Sequence, residues 1–284
     1  GLAISEAKKL NNKVEIQDAF TALNEAITLE PENAKPRNDL GAIYLQHHNF
    51  KQGFDLFEWR WEANNWKRIE SNKPVWEGQP NKKVLVWREQ GVGDEIMFSS
   101  TLSDLSAVSQ SVLVIADKRL IKLFSRSLPS NVKVLSQDTS LEQLEYDFHI
   151  PIGSLPKFFR KQPQDFKLAS TGFLNADQMR SNLLRKSLCK SPKEKLVGLS
   201  WHTSSKLPEA QTRNVDLMTL SMHLVPVGAT FISLQYSYDQ LVENTQNMAG
   251  IPIKRAKQID VFNDLDGLAA LINACDEVIT IDNS

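Results

Sequence analysis

Beyond residue 82 the chain alternates short runs rich in apolar residues with longer stretches in which apolar residues recur every three or four positions. The runs are Val84 to Trp87, Ser111 to Ala116, Val132 to Leu135, Asp147 to Pro151, Leu196 to Trp201, Thr230 to Gln235 and Glu277 to Ile281. The unbroken apolar run Val84 to Trp87 predicts a buried strand of a parallel sheet, and the other segments read as further strands. Between the first two runs, Ile96, Met97, Ser100, Leu102, Leu105 and Val108 predict a single amphipathic helix. Further helices are predicted over about 118–128, through Leu183, Leu184 and Leu188, from Asp216 to Leu224, from about Tyr238, and through Leu265, Leu268, Leu271 and Ile272. Strands alternating with helices predict doubly wound α/β layers, in which ligands meet the loops at the carboxyl ends of the strands.

The first 62 residues read differently. Ala19, Leu23, Ala26 and Pro31 recur 34 positions later as Gly53, Phe57, Arg60 and Asn65, and the second unit also carries Ala34, Leu40, Gly41 and Tyr44. Small residues let paired helices approach, larger ones fill between them, and Pro31 ends the second helix of the first unit. The pattern resembles tetratricopeptide repeats, with departures. Arg37 stands where that family has tryptophan, and Arg60 and Asn65 replace the late alanine and proline. Two such units cannot bury their faces alone, so the segment is predicted to pack on the domain that follows or to continue N-terminally. Its expected role is as a docking segment or spacer, with a protein partner open. His47 and His48 fall at the turn between helices. The stretch from Phe54 to Pro80 is rich in aromatic residues, and most of Phe57, Trp59, Trp61, Trp66 and Trp76 are predicted to pack between the helices and the α/β region, with a sugar-stacking platform as the alternative.

Composition narrows the function. Lys plus Arg is 33 and Asp plus Glu is 34, a formal net charge of -1, so no global field favours nucleic acid or an anionic membrane. No apolar run approaches the roughly 20 residues of a membrane span, and the opening residues lack the pattern of a signal peptide. A cytoplasmic protein is expected, with peripheral association at the inner membrane left open. The two cysteines, Cys189 and Cys275, lack metal-ligand spacing and are expected to be buried thiols in a reducing compartment.

Candidate chemistry concentrates in the loop after the first run: Glu89, Gln90, Gly91, Val92, Gly93 and Asp94. Gly91 and Gly93, with Asp117 after the second strand, resemble part of a dinucleotide fingerprint. The third glycine of that motif would fall at Ile96, and three residues separate Trp87 from Gly91. The same loop after a strand resembles more closely the start of the ADP-heptose:lipopolysaccharide heptosyltransferase family and its tetratricopeptide-fused bacterial relatives. The resemblance implies two Rossmann-like, doubly wound lobes of the GT-B type behind the helical segment. It implies helical repeats over 1–62, a connector over 63–81, an acceptor-side lobe over 82–165, a linker and helix over 166–193, and a nucleotide-sugar lobe over 194–284. It also implies that the turn begun by Asp282, Asn283 and Ser284 continues into a phosphate-binding helix, and that this chain is trimmed at its C-terminus.

By that resemblance Asp94 is the candidate catalytic base, because an acceptor hydroxyl is a poor nucleophile until a carboxylate takes its proton. Glu89, Gln90, Gly91 and Gly93 would shape the loop against the acceptor. Lys206 and Arg213 are candidate cations for the departing nucleoside diphosphate. Ser200, Thr203, Ser204 and Ser205 are candidate phosphate donors, and Gln235, Asp282, Asn283 and Ser284 complete the donor list. Asp264 and Asp266 resemble an Asp-x-Asp metal clamp, but are expected to cap a helix. No metal and no cofactor are therefore expected. The reaction implied is inverting, metal-independent transfer from a nucleotide-diphosphate sugar to a hydroxyl of a glycan, lipid-linked or protein acceptor. The competing readings are a non-catalytic scaffold with an inactive transferase-like domain, and an NAD-dependent oxidoreductase.

Overall fold

A computed structural model describes residues 2–166, 172–203, 212–224, 228–236, 243–244 and 253–281. Four helices open the chain: α1 (Leu2–Leu29), α2 (Ala34–Gln46), α3 (Phe50–Phe57) and the single turn α4 (Arg60–Ala63). Then come β1 (Lys83–Trp87), α5 (Val92–Ser99), α6 (Leu102–Val108), β2 (Ser111–Ala116), α7 (Ile121–Ser127), β3 (Val132–Ser136), β4 (Phe148–Pro151), α8 (Pro156–Phe159) and α9 (Gln178–Leu188). The last elements are β5 (Leu196–Ser200), α10 (Leu217–Leu224), β6 (Thr230–Ser233), β7 (Ile253–Lys254), α11 (Leu265–Ala274) and β8 (Glu277–Thr280). One sheet has the strand order β3-β2-β1-β4 and the other β7-β6-β5-β8. β1 runs parallel to β4, and β5 runs parallel to both β6 and β8. The chain forms two compact units. The first comprises Gly1–Glu89, Asp94–Val114 and Ser140–Ser170, and the second Gln90–Gly93, Ile115–Thr139 and Thr171–Ser284.

The seven predicted strands are present. β7, only two residues long, carries too little pattern to be seen in advance. Val84, Leu85, Val86 and Trp87 are all buried, as an unbroken apolar run in a doubly covered strand requires. Burying each such side chain is worth about 1.5–3 kcal/mol. Among the described residues no helix is long and apolar enough to cross a membrane.

Two expectations are corrected. The helix predicted through Ile96 to Val108 is two helices, α5 and α6. The hydroxyls of Ser99, Ser100 and Thr101 bond back to the carbonyls of Ile96, Met97 and Phe98 at 2.7, 2.9 and 2.6 Å. Three successive hydroxyls thus compete with the helical ladder at one turn. The first repeat unit, expected as a helix pair, is one continuous helix, α1. No glycine or proline interrupts residues 2–29, so nothing local ends it before Pro31. The helix expected from Tyr238 lies largely outside the described residues.

Within the first unit, α2 and α3 cross closely, joined by a three-residue turn, His47–Asn49. A Cβ at Gly41 would lie 3.0 Å from Leu56 Cβ, and one at Gly53 would lie 2.6 Å from Leu45 Cδ2. The small residues of the repeat pattern therefore mark this crossing. Of the aromatics between Phe54 and Pro80, Phe57 and Trp61 pack between the helices and the α/β elements as expected. Trp61 lies 5.2 Å from Trp87, and Phe57 lies 6.1 Å from Phe98. Trp76 is sandwiched near Phe158 and Phe159. Arg37, in the place of a tryptophan, stacks its guanidinium over Trp59 at 4.5 Å. Trp66 is partly exposed.

In the second unit, α9 and α11 cover one face of the β5–β8 sheet. Leu184, Leu188, Leu196, Ile232, Ala270 and Leu271 form the core there. Val197, Leu199, Trp201, Leu217, Leu224 and Phe231 form a second core cluster. Cys189 and Cys275 are half-buried rather than fully so, and pack beside the first of these clusters. Burial pushes the Cys275 thiol up to about 12, which keeps it protonated and inert.

Candidate functional site

The loop after β1 is the focus. Register pairs Trp87 with Pro151, so the chain leaving β1 and the chain leaving β4 run side by side. Glu89 and Gly153 face each other across that gap, where the Gly153 N–H donates to Glu89 Oε1 at 2.7 Å. Glu89 is buried and also receives the guanidinium of Arg60, Nε to Oε2 and Nη2 to Oε1, both at 2.7 Å. Arg60 itself is 1% exposed. Its remaining donors reach Ser154 Oγ at 2.9 Å, Phe57 O at 3.0 Å and Glu58 Oε1 at 2.9 Å. All five guanidinium donors are thereby used. Burial alone would lower its pKa, but Glu89 and Glu58 outweigh burial and raise it.

The loop is also closed at its neck. Arg88, just before it, donates through Nε to Oε1 of the buried Glu95, just after it, at 2.6 Å. Gln90 adopts φ 57°, a left-handed conformation unusual for a residue with a side chain. Gln90 and Gly91 are exposed, and Gly93 and Asp94 half-buried. Asp94 is the third residue of α5, inside its first turn. A carboxylate there sits where the helix dipole favours negative charge.

In the second unit the predicted donor residues separate. Ser204, Ser205, Lys206, Asp282, Asn283 and Ser284 lie outside the described residues. Ser200 and Gln235 come together at the carboxyl ends of β5 and β6. The Gln235 amide oxygen accepts from the N–H groups of Trp201 and His202 at 3.3 and 3.1 Å, with Ser200 Oγ at 3.5 Å. Gln235 is buried and so supports the turn after β5 from beneath. Thr203 N–H donates to Asn214 Oδ1 at 2.8 Å, and Val215 N–H to Trp201 O at 3.0 Å. These bonds draw Thr203 toward the segment that carries Arg213, which is exposed. Sequence reasoning missed Asn214, which carries no periodicity to flag it.

Asp117 bears on the dinucleotide reading. Both of its carboxylate oxygens accept from the Arg119 fork, at 2.9 and 3.0 Å. A ribose diol would have to displace that pair. Asp264 caps α11, accepting from Gly267 N–H at 2.8 Å, as expected, and also pairs with Arg180. Asp266 pairs with Arg126.

The sheets and their loops define an α/β fold shared with glycosyltransferase structures. The E. coli ADP-heptose LPS heptosyltransferase II structure superposes with a TM-score of 0.50 at 13% identity, covering 71% of this chain and 79% of that one. A glycosyl transferase family 9 structure from Veillonella parvula gives a TM-score of 0.50 at 12% identity, covering 72% and 76%. Among curated proteins, the chain is similar to Protein FlbA of Caulobacter vibrioides, 28% identical over 255 residues and 82% of this chain. It spans 42% of that relative's length. No model of a known protein family matches the sequence.

Proposed function

We propose that the chain belongs to a glycosyltransferase that moves a sugar from a nucleotide diphosphate to an acceptor hydroxyl, with inversion and without a metal. The observation that carries this reading is the placement of Asp94. It lies in the first turn of α5, on a loop closed by Arg88 and Glu95, at the end of β1. A carboxylate held there suits removal of a proton from an acceptor hydroxyl as the glycosidic bond forms. Two solved glycosyltransferase structures share the fold, and one of them names ADP-heptose, which makes an ADP-linked sugar the first donor to test.

On the donor side, Lys206 and Arg213 would neutralise the departing diphosphate. Ser200, Thr203, Ser204 and Ser205 would donate to its oxygens. Gln235 would act through the turn it supports, and Asp282, Asn283 and Ser284 would begin a further phosphate-binding turn. Gln90, Gly91 and Gly93 would line the acceptor approach. The helical segment would be a tetratricopeptide-like module. A cytoplasmic setting follows from the same reading.

Calorimetry against ADP, UDP and GDP tests donor binding, and Asp94→Asn tests the chemistry. The expected result is micromolar binding of one diphosphate, with sugar transfer lowered about 10²–10⁴-fold in the variant and donor binding unchanged. Absence of binding to all three, or full activity in Asp94→Asn, overturns the reading.

A further inference from the structure

The geometry points to Arg60 as a positioning residue for the loop that carries Asp94, so that the N-terminal helical segment is built into the site rather than attached to it. The inference rests on the functional reading of Asp94, although its structural half stands without it.

Position 60 corresponds, 34 residues on, to Ala26 of the first repeat unit. A small residue is what the crossing of paired helices asks for, and the sequence departs from that pattern here with a large cation. The structure supplies the reason. Arg60 opens α4 and turns its guanidinium inward, between the rings of Phe57 at 4.4 Å and Trp61 at 5.0 Å. From there it holds Glu89 with two parallel bonds of 2.7 Å. Glu89 is the first residue of the loop and its side chain is 2% exposed. Without Arg60, that carboxylate would be buried with its charge uncompensated, which a folded chain resists by moving the segment that carries it.

Three parts of the chain meet at this pair. The helical segment brings Arg60 and Glu58, the end of β1 brings Glu89, and the turn after β4 brings Gly153 and Ser154. Ser154 Oγ accepts from Arg60 and donates to Glu58 Oε1 at 2.7 Å, which closes the ring of bonds. The bidentate fork fixes direction as well as distance, which a lysine in the same place could not do. Fixing Glu89 fixes the start of the loop. The Arg88–Glu95 pair fixes its neck, and Asp94 lies between those two anchors. Reaction rates depend steeply on such placement, about 10²-fold for a displacement near 1 Å.

The test compares the full chain with Arg60→Met, Arg60→Lys and Arg60→Met/Glu89→Gln. Amide hydrogen exchange under native conditions is read at residues 89–95, with β5 and β6 as internal reference. Consumption of ADP-heptose, UDP-glucose and GDP-mannose is measured in parallel. Arg60→Met is expected to speed exchange across 89–95 by at least about tenfold while the reference strands keep their protection. With a consumed donor, kcat falls about 10–100-fold with KM nearly constant, and Arg60→Lys recovers only part of the loss. Should Arg60→Met fail to fold, the double variant, which removes both buried charges, carries the same exchange measurement. Unchanged exchange at 89–95, or a rise spread evenly over the reference strands, overturns the positioning role. A wild-type chain that consumes none of the three sugars counts against the transferase reading, while the exchange data still decide the role of Arg60.

Discussion

The Trp87 indole N–H donates to Nδ1 of His149 at 3.2 Å, joining β1 to β4 two residues off their direct register, in which His149 faces Leu85. An indole nitrogen can only donate, so Nδ1 must be unprotonated and the ring proton sits on Nε2. Burial lowers the pKa of His149, and a backbone hydrogen bond with Lys73 only partly opposes that. The folded state therefore holds this proton less well than the unfolded chain. The stabilisation is complete above the ordinary histidine value of about 6.5 and is lost as pH falls through the lower folded value. Melting temperature should fall between about pH 7 and pH 5, and His149→Gln should flatten that slope. Equal slopes in both proteins would disprove the assignment.

Gly153→Ala should destabilise the first unit. A Cβ there would lie 2.3 Å from Glu89 Oε1, and that oxygen cannot move aside because Arg60 and the Gly153 N–H both hold it. Overpacking of this kind costs about 1–3 kcal/mol. Urea unfolding measures it, and a wild-type midpoint would show that the clamp yields.

Two fully buried tryptophans should answer differently to phenylalanine. Trp76 donates its indole N–H to Gln79 O at 2.9 Å, whereas the Trp201 Nε1 meets no hydrogen-bond partner among the described residues. Both substitutions lose volume. Only Trp76→Phe also breaks a bond, and only Trp201→Phe removes an unsatisfied buried donor, a penalty of about 1–3 kcal/mol in itself. Trp76→Phe should therefore be the more destabilising by at least about 1 kcal/mol. Equal losses in thermal unfolding would mean that Trp201 has a partner in solution.

Asp264→Ala should lower stability by about 1–2 kcal/mol through loss of the α11 cap. Asp264→Asn keeps an oxygen for the Gly267 N–H and should recover most of that. If instead added Mn²⁺ stabilised the wild-type chain and not Asp264→Ala, the pair Asp264 and Asp266 would be a metal clamp after all.

The strands were legible as local runs rich in apolar residues, and β1 and β5 are buried along nearly their whole length, whereas β8 is exposed throughout. A helix start was legible where a cap announces it, as at Asp264, which accepts from Gly267 N–H. The break between α5 and α6 was not, since apolar spacing continues through it while three hydroxyls compete for the carbonyls. The loop from Glu89 to Asp94 stood out by its glycines and acids. What Glu89 does there could not be read, because its partners Arg60 and Gly153 lie 29 and 64 residues away.

From its own residues the chain determined which segments are strands, which small residues let α2 and α3 close on each other, and which loop gathers chemically capable side chains. These are short-range matters of periodicity, propensity and turn chemistry. Tertiary structure alone decided that Arg60, a misfit in its repeat, is the counter-ion of Glu89, and that Gln235 holds up the turn after β5. Both depend on which strands lie side by side, and a buried charge or amide finds its partner only once the sheet has brought distant segments within a few ångströms.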